Sequence, residues 1–384
     1  MSRSPTPGAS GRLRLASRRL VGCAGLGLLE LNRTRRRPAP DLGRARTIVV
    51  AHLFGLGDLI MTLPFLEALR VMAPDARVIL VVRSTVAPFL DGVDSVDRIL
   101  GVGVGAGGVV ASCLRALSNS RSPRPDIGFL PFTGLASAIC LAAFRPKHIS
   151  GHIVDMQVRA TFDFGRSRLA EVRHPTEMAF DSLRTIARVN RAEWGEPSLQ
   201  LPAGARSLLP PARHGEWIAL NPGVAWSARR WPIDRWIALA RSLSELAGVA
   251  LIGGPEDLPT TRRIESAVPG LLNLSAHTDA AALLGTLAAC RVVVSSDAGP
   301  LHLARALAIP SVGLFGPVDP SLRRHGGRTA IDLIASPAIE CSPCHSGEYP
   351  PACSLPDCMA AISVASVLEA IETLRENRPH EVST

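Results

Sequence analysis

The sequence predicts an α/β protein built from two parallel-sheet halves, and three observations predict it. Strand and helix patterns alternate twice along the chain, once over 47–201 and again from Trp217 onward. Each half contains a strand that runs into a glycine turn and then a helix. Between the halves, 202–215 is rich in Pro and Gly, includes Pro210-Pro211, and reads as a linker. At 384 residues, two domains are the expectation, and 47% hydrophobic residues suffice for two cores.

The elements follow in order. Residues 1–46 hold 11 Arg, no Lys, one Glu and one Asp, so the whole formal charge of +9 sits in this arm and the remaining body is neutral. Within the arm, 20–31 is apolar and Gly-rich, flanked by Arg18-Arg19 and by Arg33, Arg35, Arg36 and Arg37. It is shorter than the roughly 20 residues that span a bilayer, and it lacks a small-x-small cleavage site. Two expectations stand for it: a disordered extension, or peripheral contact with an anionic membrane surface. The first half, 47–205, carries strand patterns over 47–52, 77–82, 98–100 and 126–130. Helical patterns lie between them, over 59–72 and 109–118. The second half, 216–340, carries strands over 217–220, 249–252, 292–294 and 311–315. Its helices fall over 233–246, 258–267, 280–289 and 301–308. A Cys-rich tail, 341–384, ends in an amphipathic helix over 362–375. These two Rossmann-like halves are expected to face each other across a cleft, because open α/β sheets bind ligands beyond the carboxyl ends of their strands.

The chemistry concentrates in the turns. Ser295-Ser296-Asp297-Ala298-Gly299-Pro300-Leu301-His302 joins a buried strand to a helix, and free N–H groups at a helix start stabilise an anion. A structural turn seldom needs both Asp297 and His302, so this one suits a phosphate or pyrophosphate. In the first half, Leu53-Phe54-Gly55-Leu56-Gly57-Asp58 ends in a carboxylate, which fits either a helix cap or a general base facing the cleft. After the strand at 217–220, Asn221-Pro222-Gly223 opens a loop carrying Arg229 and Arg230, either solvated or reaching a pyrophosphate. Gly253-Gly254-Pro255-Glu256-Asp257 places two acids where a ribose is held in such sheets. Gly101-Val102-Gly103 forms no dinucleotide fingerprint. Cys341, Cys344, Cys353 and Cys358 lie within 18 residues, compatible with a structural Zn²⁺, two disulfides or ordinary thiols, with His345 a spare ligand. Cys23, Cys113, Cys140 and Cys290 are scattered as in a reducing cytosol. A neutral body with 4% aromatic residues excludes a single-stranded nucleic-acid platform.

Over about 47–375 the chain resembles glycosyltransferase family 9, the heptosyltransferases of the lipopolysaccharide inner core. Three blocks carry the resemblance: Gly57-Asp58-x5-Pro64, Arg230-Trp231-Pro232-x3-Trp236, and Ser296-Asp297-Ala298-Gly299-Pro300-Leu301-His302. The family implies a GT-B fold and a cytoplasmic inverting transfer of heptose from an ADP-heptose donor to a lipopolysaccharide-type glycan acceptor. No cofactor is required for that catalysis. By the same resemblance Asp58 is the catalytic base and Arg230 contacts the donor phosphates. Ala298, Gly299 and Pro300 form the pyrophosphate cradle beside Asp297 and His302, and Glu256 or Asp257 binds the ribose. Gly57 and His52 lie on the acceptor side. The chain departs from the family pattern at His52, where Arg or Lys is usual, and at Phe54-Gly55, where small hydroxyl residues are common. Three alternatives accompany this expectation: another nucleotide-sugar donor, a nucleotide-sugar 2-epimerase on the same scaffold, and a membrane-associated sugar-nucleotide binding protein.

Overall fold

The computed structural model describes residues 40–103, 124–132, 134–151, 173–212, 215–344, 353 and 356–376. Its first sheet contains β1 (Thr47–His52), β2 (Arg77–Arg83), β3 (Arg98–Val102), β4 (Ile127–Leu130) and β5 (His148–Gly151), in the order β3-β2-β1-β4-β5. The second contains β6 (Trp217–Asn221), β7 (Gly248–Leu251), β8 (Leu272–Asn273), β9 (Val292–Ser296), β10 (Ser311–Leu314) and β11 (Ala330–Leu333), in the order β11-β10-β9-β6-β7-β8. Every strand pair is parallel. All six residues of β1 and all five of β9 are buried, as expected of central strands covered on both faces. The order reverses between β1 and β4 in one sheet and between β6 and β9 in the other. A crevice opens beyond the strand ends at such a reversal.

The helices are α1 (Leu56–Ile60), α2 (Leu63–Met72), α3 (Leu135–Phe144), α4 (Pro175–Arg184), α5 (Ile233–Ser244), α6 (Leu258–Ala267), α7 (Ala280–Ala288), α8 (Gly299–Ala306), α9 (Asp357–Ala360) and α10 (Val364–Glu376). The single helix expected over 59–72 begins three residues early and is broken in two. Pro64 has no N–H to continue the ladder, and Thr62 spends its hydroxyl on the Asp58 carbonyl at 2.8 Å. The strands β5, β8 and β11 and the helices α3 and α4 escaped the sequence patterns. Helix α3 reads Leu-Ala-Ser-Ala-Ile-Cys-Leu-Ala-Ala-Phe, with no polar stripe to reveal a helical period. The helix expected over 109–118 lies outside the described residues, as does most of the arm. Cys140, in α3, is disulfide-bonded, which corrects its expected place among free thiols.

The segment expected as a linker is packed down. Arg206 N–H donates to the Ala281 carbonyl at 3.3 Å and Leu208 N–H to the Thr286 hydroxyl at 3.2 Å, so the chain lies along α7. Gly285 permits this, because a Cβ there would stand 2.5 Å from the Arg206 backbone. One apolar cluster runs from Ile48, Val50 and Phe65 of the first half to Leu284, Val293 and Leu303 of the second. A second cluster seals the other face of the second sheet with Trp231, Trp236 and Leu239, closed by Cys358, Met359, Val367 and Ile371. Residues 357–376, grouped with the tail from sequence, thus complete the core of the second half. Among the described residues no helix is long and apolar enough to cross a membrane.

Candidate active site

The two reversal points meet. Helix α1 follows β1 and helix α8 follows β9, and they pack directly on each other. Two glycines allow the approach. A Cβ on Gly57 would lie 2.5 Å from the His302 ring, and one on Gly299 would lie 3.2 Å from the Leu56 side chain. Gly57 was expected to border only the acceptor side, yet it is the seat of a histidine from the facing half. Gly299 was expected to clear space for a phosphate, and its missing side chain clears space for α1 as well.

Asp58 sits in the first turn of α1, not at its cap, because Gly55 takes the cap position. Its Oδ1 accepts a hydrogen bond from Arg323 Nη1 at 2.6 Å, across 265 residues of sequence. Burial by itself would raise the Asp58 carboxyl. The Arg323 charge and hydrogen bond outweigh it, with smaller help from His52 and His302, and hold the group below the usual carboxylate range.

On the other side, Asp297 is buried at the end of β9. Its Oδ1 lies 3.1 Å from His302 Nε2, and its Oδ2 lies 3.2 Å from Arg229 Nη1. Arg229 also donates to the Asp297 carbonyl at 3.1 Å and stacks on Trp226, 3.8 Å from the ring centroid. His302 Nδ1 in turn lies 2.9 Å from His325 Nε2, with the two rings nearly parallel. An ionised Asp297 can only accept, so His302 carries its proton on Nε2, and His325 then donates from Nε2. Burial would raise the Asp297 carboxyl, but the His302 hydrogen bond and the Arg229 and Arg323 charges drive it far below the ordinary value. Burial, only partly offset by Asp297, lowers His302 and keeps it neutral.

Helix α8 begins at Gly299 with Pro300 in its first turn, and no side chain caps it. The N–H groups of Ala298 and Gly299 therefore precede any intrahelical acceptor. Pro300 has no N–H, so its part in the cradle is to fix the backbone, not to donate. Asn221 Nδ2 bridges to Ser295 Oγ at 2.9 Å and ties β6 to β9 at the reversal. Arg230 is exposed and acts electrostatically on Asp257. Asp257 accepts from Gly254 N–H at 2.9 Å, and a Cβ on Gly223 would collide with its carboxylate at 2.2 Å. Burial first, then Glu256, raises Asp257, while Glu256 itself is exposed. His52 ends β1, buried, and among the described residues neither ring nitrogen has a hydrogen-bond partner. It packs edge-on against Phe54 and Phe132 at 5.9 and 5.1 Å. Burial lowers it to about 4, against a smaller opposing pull from Asp58.

The structure thus brings Asp58, His52, Gly57, Asp297, Gly299 and His302 together, with Arg230, Glu256 and Asp257 on the loops after β6 and β7. Sequence reasoning missed Arg323, His325 and His174, and preferred Arg230 to the more deeply engaged Arg229. The run Leu-Arg-Arg-His at 322–325 was the available signal, unused because nothing local linked it to the turns. The zinc expectation is not met. Cys341 and Cys344 are exposed, and Cys358 is buried in the core, where its sulfur would meet a Cβ on Gly316 at 2.8 Å. All four tail thiols are free, and among the described residues no group of three His, Cys, Asp or Glu side chains is placed to hold a metal.

Residues 185–351 match the family model described as glycosyltransferase family 9 (heptosyltransferase). Over those residues the chain resembles the heptosyltransferases of glycosyltransferase family 9. Lipooligosaccharide heptosyltransferase 2 of Haemophilus influenzae is 34% identical over 110 residues, 27% of this chain and 32% of that enzyme. Lipopolysaccharide heptosyltransferase 2 of Salmonella typhimurium is 25% identical over 287 residues, 69% of this chain and 81% of the enzyme. The stronger local match therefore spans about a third of the relative's length, and the weaker one most of it. Among solved structures, a family 9 glycosyltransferase from Veillonella parvula superposes with a TM-score of 0.70 at 20% identity, covering 88% of this chain and 99% of that one. The Escherichia coli ADP-heptose lipopolysaccharide heptosyltransferase II gives 0.67 at 20% identity, covering 86% and 98%. These similarities establish the GT-B fold: two parallel sheets with the crevice between them.

Proposed function

We propose that this protein is a member of glycosyltransferase family 9 and an inverting glycosyltransferase that moves heptose from ADP-heptose to a lipopolysaccharide inner-core acceptor. One observation carries the proposal: Asp58, at the reversal point of one sheet, stands opposite the uncapped start of α8 at the reversal point of the other. The relatives, named as heptosyltransferases acting on lipopolysaccharide or lipooligosaccharide, supply the sugar and the acceptor class. The donor diphosphate rests against Ala298 and Gly299, with Arg230 reaching it from the β6 loop and Glu256 or Asp257 on the ribose. Asp58 takes the proton of the acceptor hydroxyl, whose oxygen forms the new bond to the anomeric carbon. The bond from that carbon to the diphosphate breaks, and ADP leaves with the bonding pair. The chemistry routes no step through a metal, because charge on the leaving group meets arginines and a helix start.

The epimerase alternative is not favoured, because the relatives are named as heptosyltransferases. Acceptor contact falls to the His52, Phe54 and Phe132 cluster beside Asp58. We assign the reaction to the cytoplasmic face of a membrane, with the basic arm the segment that meets anionic lipid. Removal of residues 1–40 is then expected to leave transfer intact and to abolish salt-sensitive binding to anionic vesicles. Equal vesicle binding by the truncated protein ends that assignment. The test of the function is calorimetric titration of ADP-, UDP- and GDP-sugars, followed by transfer to heptose-free core acceptor. Preference for a donor other than ADP-heptose overturns the donor, and donor binding without transfer overturns the acceptor.

A further inference from the structure

Arg323 joins the two halves of the site through its ion pair with Asp58. Its backbone is pinned on every side. Arg323 N–H donates to the Pro320 carbonyl at 2.9 Å, and His174 Nε2 meets the Arg324 carbonyl at 3.1 Å from the first half. Arg324 Nε pairs with Asp332 at 3.2 Å, and His325 is held by His302. The guanidinium is held far less. Among the described residues its hydrogen-bond partner is Asp58 alone, through Nη1, so the Nε and Nη2 donors remain for another acceptor. It also lies close enough to Asp297 and Arg229 for their charges to act on one another. Two carboxylates and two guanidinia thus balance within the cleft, and every one of those charges is committed to another before any ligand arrives.

A diphosphate that settles at the start of α8 brings a net negative charge into this balanced set. Arg229 cannot follow it freely, because it is fixed to the Asp297 carboxylate and carbonyl and stacked on Trp226. Arg323 can, since one hydrogen bond to a partly exposed carboxylate is all it gives up. We propose that Arg323 is exchanged between two partners: it holds Asp58 in the free protein and moves to the diphosphate when a nucleoside-diphosphate sugar enters. The inference rests on the donor-site reading above and deepens it. The exchange does two things at once. It releases Asp58 to accept the proton of the acceptor hydroxyl, and it sets a cation beside the oxygen that receives the electron pair of the breaking bond. Before donor binding, Asp58 is masked and no base faces the acceptor. Arg323 is therefore a phosphate ligand that also gates the base, and donor binds before acceptor is activated.

The exchange has a consequence no purely structural ion pair shares. If Arg323 must leave Asp58 to reach a ligand, Asp58 competes with that ligand. ADP is the probe. Arg323→Met is expected to weaken ADP binding by roughly 10- to 150-fold, the worth of a charge-assisted hydrogen bond to an anion. Asp58→Asn, by contrast, is expected to tighten ADP binding roughly five-fold, because a neutral amide holds the guanidinium less firmly than a carboxylate does. In the Arg323→Met background, Asp58→Asn is expected to leave ADP affinity unchanged. Arg323→Lys keeps a cation and is expected to recover part of the affinity, and thermal melts confirm that each variant is folded. ADP binding that is equal in wild type, Asp58→Asn and Arg323→Met overturns the exchange while leaving the donor site standing. Weaker ADP binding in Asp58→Asn also overturns it, since the aspartate would then support the ligand. Failure of the wild-type protein to bind ADP at all removes the donor-site reading, and the exchange with it.

Discussion

The turns after β1 and β9 use one device, yet their carboxylates live differently. Asp297 is held from within its own half, by His302 on the next helix turn and by Arg229 from the β6 loop. Among the described residues, the side-chain hydrogen bond to Asp58 comes from Arg323, in the opposite half. A carboxylate locked by its own fold is a scaffold, and one held by a partner across a ligand cleft is available for chemistry. The difference teaches that identical local motifs acquire distinct tasks from what the facing half presents.

The strongest way to break this contrast is to exchange the carboxylates for neutral groups. Asp58→Asn is expected to lower transfer by about 10²–10⁴-fold, the usual worth of a general base, while the protein melts normally. Single-turnover rates within tenfold of wild type would deprive Asp58 of that role. For Asp297→Ala the expected loss is in stability: about 3–5 kcal/mol in a denaturant titration, because Arg229 would remain buried without its carboxylate. A change below about 1 kcal/mol would mean that Asp297 is no scaffold.

A third test separates His52 from the other buried histidines of the cleft. His52 is held neutral by burial, its value lowered from 6.5 to about 4. Between these values the unfolded chain binds a proton that the folded chain refuses. Stability therefore rises with pH across this window: the His52 contribution is complete above about 6.5 and lost as pH falls toward 4, about 3 kcal/mol in all. In His52→Phe the slope of stability against pH over that range should flatten, and an unchanged slope assigns it to His174 and His325 instead. Last, Arg230→Ala is expected to cost about 1.5–3 kcal/mol in ADP binding, read by calorimetry. Affinity unchanged by that substitution would leave the exposed Arg230 outside the donor site.

Much of the site was legible because its signals are local. A strand pattern, a glycine pair and an acid within twelve residues name Asp58, and a strand pattern running into an acid and one glycine names 296–302. The parallel sheets followed from alternation, since buried central strands must be nearly all apolar. Helix α3 stayed hidden because apolar residues surround it on every side, so no period separates helix from strand. The split between α1 and α2 was legible in Pro64 but was not used.

By itself the sequence determined the fold class, the two glycine turns of the candidate site and the neutral body beneath a basic arm, since each depends on residues near one another in the chain. Tertiary structure alone decided which charges meet. Whether Asp58 faces water, a histidine or an arginine depends on how closely α1 approaches α8, and that distance is set by two absent side chains, Gly57 and Gly299, packing on the opposite half. The partner it receives, Arg323, lies 265 residues away, and no pattern of local spacing carries that information. The tail cysteines show the same limit from the other side. Their spacing suited a metal, but Cys358 is buried in the apolar core with the residues of α9 and α10, where hydrophobic packing sets its place.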